Sequence, residues 1–167
     1  MLTDGLHTFQ GQHVLLLQGP VGPFFRRFAD DLEAAGAIVH KINFNAGDWL
    51  FYRKGAVAYR NKIANWPIWF EHYLEQHSID VMFLFGDCHP VHMIAHWIAS
   101  GRGISVGVFE EGYVRPSYIT LEYSGVNGYS LMSRDPKHFP QVEQALPEAR
   151  DVGSSFWNMV WYGFCYF

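Results

Sequence analysis

Charge is sparse in this chain. Asp, Glu, Lys and Arg together make up 17% of its 167 residues, and the formal net charge is −4. A nucleic-acid binder shows a clustered basic excess, so that class is excluded. Cysteine is nearly missing: Cys88 and Cys165 are too few for a disulfide framework and suit a reducing cytoplasm. No uninterrupted apolar run approaches the roughly 20 residues needed to cross a bilayer. Residues 1–13 are polar and lack the apolar core of a signal peptide. These absences point to a cytoplasmic protein. Nucleotide fingerprints are missing too. Gly19-Pro20-Val21-Gly22-Pro23 is neither G-x-G-x-x-G nor a P-loop, and its two prolines remove amide donors that would cradle a phosphate. His89, His92 and His96 share one helical face, but no carboxylate or thiolate stands at helical spacing beside them. Neither a metal nor a resident cofactor is expected.

What is abundant is apolar surface. Hydrophobic residues reach 49% and aromatics 17%, with 14 Phe, 9 Tyr and 6 Trp, enough for one sizeable core. Buried-strand runs over residues 13–18, 37–44, 79–85 and 104–109 alternate with helical stripes over 24–35, 66–76 and 91–100. Gly36 stands where a helix C-cap belongs, and Pro67 at a first helical position. Residues 45–64 mix aromatic and basic residues and read as a loop with a short helix. Strands separated by helices imply an α/β, Rossmann-like parallel sheet with flanking helices over residues 1–150.

Parallel strands end on one edge, so the motifs that follow them converge. The fourth run leads into Glu110-Glu111-Gly112-Tyr113-Val114-Arg115-Pro116. Two adjacent carboxylates repel, so one is expected to hold a proton that the other cannot, as acid/base work requires. A solvated acidic turn is the plainer alternative. Arg115 suits a phosphate or sugar carboxylate, or else an internal ion pair with the glutamates. Asp87 and His89, in Gly86-Asp87-Cys88-His89-Pro90, suit a hydroxylated ligand or a turn. Cys88 reads as a packing residue. Gly19, followed by Arg26 and Arg27, and Asn45, in Asn43-Phe44-Asn45-Ala46-Gly47-Asp48, complete the edge. The glycine-rich loop 125–130 is expected near it.

After a polar, helical stretch over 137–150 and a linker over 151–155, residues 156–167 are almost wholly apolar. They read as the start of an interdomain or membrane-facing helix in a truncated sequence. The strings GPVGPFFRRFADDL, INFNAGD, LFGDCHP, VFEEGYVRPSYITLE and GVNGYS occur in the order found in the bacterial capsule polysaccharide biosynthesis and export family. The chain resembles the amino-terminal half of its KpsS-type β-Kdo transferases. That resemblance implies one half of a GT-B-like glycosyltransferase with facing Rossmann-like halves. It also implies a CMP-Kdo donor, a phosphatidylglycerol acceptor at the inner membrane, and other capsule assembly and export proteins as partners. Glu110-Glu111-Gly112 resembles the acidic-acidic-Gly motif shared with bacterial sialyltransferases. It casts Glu111 as the catalytic carboxylate and Glu110 as its tuning partner. Arg115, Asp87, His89, Gly112, Tyr113, Gly19 and Asn45 then line the substrate side. A His-Pro motif expected in the other half is missing, and His89-Pro90 stands in the wrong place to replace it. A non-catalytic polysaccharide export or assembly module is the rival reading.

Overall fold

Residues 5–113, 118–139 and 156–166 are described by the computed structural model of the protein. Their regular elements are β1 (His13–Leu17), α1 (Phe24–Ala34), β2 (Ile38–Asn43), α2 (Ala46–Phe51), β3 (Ala56–Ala58), α3 (Trp66–Gln76), β4 (Val81–Phe85), α4 (Pro90–Gly101), β5 (Ser105–Glu111), β6 (Ile119–Tyr123) and α5 (Phe156–Tyr166). Helix α1 forms because Phe25, Ala29 and Leu32 recur on one buried stripe. It stops at Gly36, whose φ of +90° suits a residue without Cβ, and the Ala37 N–H then donates to the Leu32 carbonyl at 3.0 Å. Pro67 opens α3 as expected. The inward stripe of α3 is Trp66, Phe70, Tyr73 and Leu74, while Ile68 is 77% exposed.

The sheet runs β3-β2-β1-β4-β5-β6. Strands β1 to β5 are parallel, and β6 runs antiparallel to β5. The Rossmann-like α/β architecture holds, with two additions. Strand β3 lies inside the stretch read as a loop, three residues long and too short for a periodic signal. Strand β6 makes the sheet mixed, because the connection from Glu111 to Ile119 is too short for the crossover that a parallel strand needs. The polar stretch after residue 136 shows a single 3₁₀ turn, Pro136–His138, before residues 140–155, which lie outside the described residues.

Both faces of the central strands β1, β4 and β5 are covered, so their interiors are apolar. Leu15, Leu17, Met82, Leu84 and Val108 pack toward α3 and α4. Leu16, Phe83 and Phe109 pack toward α1. On that second face Phe28 meets both Phe83 and Phe109 edge-on, with ring centroids 5.2 Å apart. Beneath the sheet, the His13 N–H donates to an Asp80 carboxylate oxygen at 2.8 Å, and the Asp80 N–H donates to the His13 carbonyl at 2.9 Å. Helix α5 rests on α2, where the Tyr162 and Phe51 rings meet edge-on at 5.1 Å, while Trp157, Trp161 and Phe164 are exposed.

Gly107 is the tightest point of the α1 face. A Cβ there would stand 2.5 Å from Cε1 of Phe83, a ring already held between Phe9, Phe28 and Phe109. Gly107→Ala is therefore expected to lower stability by about 1–3 kcal/mol through overpacking. Chemical denaturation checks it. Unchanged stability would show that Phe83 has room to move.

Candidate functional site

Five parallel strands bring their carboxyl ends to one edge, and strand order reverses between β1 and β4, the switch point where open α/β sheets bind ligands. At that point β1 passes through Gln18, with a left-handed φ of 54°, into Gly19 with φ +145°. A Cβ on Gly19 would lie 3.0 Å from the Phe25 ring, so the loop closes tightly over α1. Gln18, Gly19 and Pro20 line a pocket together with Lys41, Asp48 and Tyr52. Its volume of about 10 Å³ holds one water at most.

Glu110 and Glu111 are the last two residues of β5, paired with Thr120 and Ile119. They are strand residues rather than part of a glycine turn, so their side chains leave on opposite faces of the sheet. Glu110 follows Val108 onto the α4 face. Its Oε1 accepts the Glu111 N–H at 2.9 Å, and its Oε2 accepts Nδ2 of Asn127 at 3.2 Å. Glu111 follows Phe109 onto the α1 face and is exposed. Next comes Gly112, where a Cβ would stand 2.2 Å from the Tyr118 carbonyl oxygen, to which the Gly112 N–H donates at 2.8 Å. Only glycine fits there. Arg115 lies outside the described residues.

Loop 125–130 returns to this edge, as expected. Val126 is fully buried, and its N–H donates to Oδ2 of Asp87 at 3.0 Å. The Asn127 N–H donates to the Tyr113 hydroxyl, which itself donates to Oε1 of Glu122 at 2.9 Å. The Ser130 hydroxyl donates to the other Glu122 oxygen. Asp87, Glu110 and Tyr113 are thus brought together as anchors of one loop. A cavity of about 160 Å³ beside the loop is lined by Asp87, Met93, His96, Ser124 and Tyr129. His89 is exposed at the N-cap of α4, and its ring stands 5.5 Å from that of His92.

Asn45 stands apart, at the end of β2. It caps α2: its Oδ1 accepts the Asp48 N–H at 2.8 Å, and Asp48 accepts the Asn45 N–H in return. The spacing of Asn45 and Asp48 carries that signal in the sequence. A larger cavity of about 440 Å³ lies here, lined by Asn43, Phe44, Asn45, Trp49 and Arg60 among others.

Two buried titratable groups lie outside the residues expected to form the site. Lys41 donates to Oδ1 of Asn43 at 2.6 Å, and burial lowers its pKa to about 7 against the opposing pull of Asp48. Its only sequence signal is a lysine inside the apolar run Ile38–Asn43. His92 donates from Nδ1 to the Gly86 carbonyl at 2.9 Å, which leaves Nε2 as an acceptor. That Nε2 is buried with no partner among the described residues, as is Nε2 of His96. Among those residues no group of three or more His, Cys, Asp and Glu side chains is placed to hold a metal.

Burial lowers the His92 pKa from 6.5 to about 4. Between those values the unfolded chain binds the proton that the folded chain refuses. Stability is therefore complete above about pH 6.5 and falls as pH drops toward 4, by about 1.4 kcal/mol per pH unit at most for this group. His40, also lowered to about 4 by burial and then by His77 and His13, acts in the same direction. The thermal midpoint is expected to drop between about pH 7 and about pH 5, and His92→Gln is expected to flatten part of that slope. An identical slope in the variant would show that His92 takes up its proton without cost to the fold.

The sequence profile of the family described as "Capsule polysaccharide biosynthesis protein" matches residues 80–160, the half that carries β4, β5 and the carboxylates. Over 140 residues the chain is 45% identical to the capsule polysaccharide modification protein LipB of Neisseria meningitidis serogroup A, covering 80% of this chain and 33% of that protein. The LipB protein of serogroup B matches to the same extent. Over 157 residues it is 38% identical to the capsule polysaccharide export protein KpsS of Escherichia coli, covering 88% of this chain and 40% of that protein. The chain thus spans well under half the length of these relatives. With the fold, the strand-end carboxylates and these similarities in agreement, the chain belongs to the capsule polysaccharide biosynthesis and export family.

Proposed function

We propose that the chain forms the amino-terminal wall of a glycosyltransferase that moves Kdo from CMP-Kdo to a phosphatidylglycerol acceptor, working at the inner membrane with other capsule assembly proteins. The observation that carries this reading is Glu111, an exposed carboxylate at the carboxyl end of β5, on the sheet edge where α/β folds place their ligands. In sugar transfer the bond from the anomeric carbon to the CMP phosphate breaks, and its electron pair leaves with CMP. The acceptor hydroxyl oxygen forms the new bond and gives up its proton. Positive charge develops at the anomeric carbon between these events, so a carboxylate there stabilises the transition state. Glu110 is held by the Glu111 amide and by Asn127, which suits it to fix the strand end rather than to react. The printed names of the relatives, capsule polysaccharide modification and export, support a place in capsule assembly.

The test uses a protein extended to the length of these relatives, supplied with CMP-Kdo and a phosphatidylglycerol acceptor. Glu111→Gln is expected to lower transfer about a hundredfold or more while leaving the thermal midpoint unchanged. Wild-type transfer by that variant removes Glu111 from the chemistry. If the unaltered protein neither releases CMP nor forms glycolipid, the non-catalytic export module is the correct reading.

A further inference from the structure

We propose that the β3 edge of the sheet seats the protein on an anionic lipid bilayer. The segment from Trp49 to Phe70 contains no Asp or Glu, yet it carries Arg53, Lys54, Arg60 and Lys62 in a chain whose net charge is −4. All four cations are exposed, and none of them forms an ion pair among the described residues. Strand β3 is the outermost strand on its side of the sheet, so these cations flank both ends of an edge.

Exposed apolar side chains flank the cations along the same segment. Trp49 is 49% exposed, Ile63 52% and Ile68 77%, with Leu50 and Val57 also exposed. The Arg53 guanidinium lies 4.9 Å from the centre of the Trp49 ring, an arrangement in which the ring is free to enter the headgroup layer while the cation meets phosphate. Trp49 and Arg60 line the same 440 Å³ cavity, so the two ends of the edge belong to one surface. That cavity opens beside Asn43 and Ala58, the last residues of β2 and β3, where the surface meets the carboxyl edge. Helix α5 adjoins through Tyr162 on Phe51 and extends the aromatic surface with Trp161. Aliphatic residues beside the cations favour a bilayer over a nucleic acid, which has no apolar phase for Ile63 or Ile68 to enter.

Edge strands also carry Lys and Arg simply to prevent edge-to-edge pairing, and any charge serves that purpose. Reversing the charges therefore separates the two roles. The proposal deepens the proposed function by naming the face that meets the acceptor's membrane. Its test reads partition rather than transfer, so the two fail separately.

The 167-residue chain is sedimented with vesicles of phosphatidylcholine alone or mixed with phosphatidylglycerol. Binding is expected only to the mixed vesicles, and it should weaken with added salt. The variant R53E/K54E/R60E/K62E should lose at least about tenfold in partition while remaining monomeric and folded by circular dichroism. R27E/R134E/K137E, which reverses exposed cations elsewhere, should bind like the unaltered chain. If the first variant does not fold, Ile63→Ser with Ile68→Ser carries the test and should also lose binding. Equal binding to both vesicle types, no binding to either, or equal losses in both charge-reversed variants would overturn the proposal. So would self-association that the first variant abolishes, or oligonucleotide binding in preference to vesicles.

Discussion

The pairing of β1 with β4 holds the two halves of this fold together. The chain builds outward from β1 to β2 and β3, then returns through α3 to place β4 on the other flank of β1. That return joins residues far apart in sequence, with Val14 beside Val81 and Leu17 beside Leu84. The reciprocal bonds between His13 and Asp80 close the seam at its amino end. At its carboxyl end β1 runs into the Gly19 loop and β4 into the turn that carries Asp87. Without this seam, β2 and β5 would have no common edge, and the strand-end residues would be scattered rather than convergent.

At the edge itself, polar groups divide between holding backbone and facing solvent. Asp87 is buried and accepts a loop amide, Glu110 accepts an amide and an amide side chain, and Asn45 caps a helix. Each satisfies backbone or side-chain donors that would otherwise go unpaired as the chain turns away from a strand. Strand alternation, by contrast, turns Glu111 to the opposite face from Glu110. The physical distinction between the two glutamates is thus which side of a pleated strand each leaves from. Their adjacency in sequence does not make them a facing carboxylate pair.

The long buried strands were legible because two-sided burial demands apolar runs: β1, β4 and β5 have them, and β2 keeps enough of one around His40 and Lys41. Their boundaries shifted by one to two residues, and for β5 that moved Glu110 and Glu111 from a turn into the strand. Strand β3 was not legible, because three residues in an aromatic and basic stretch carry no period. Strand β6 was missed although Ile119-Thr120-Leu121-Glu122-Tyr123 alternates, because its polarity is set by a tight return that only the Gly112–Tyr118 bond reveals. Loop 125–130 was placed at the right edge, but its anchors were not foreseen. Hydrogen bonds such as Asp87 to Val126 join residues by tertiary contact and leave no local pattern. The same holds for Lys41, which is buried beside the Tyr52 ring, 11 residues further along the chain.

The cross-tie between loop 125–130 and the ends of β4 and β5 has a consequence for interpreting variants. Tyr113, Glu122, Asn127 and Ser130 form one connected chain of donors and acceptors ending on Glu110. A change at any link is transmitted to the strand end as a displacement of backbone. In a genetic screen scored on capsule production, such positions would appear beside those that take part directly in the protein's function. Telling them apart calls for a measure of local order rather than of output.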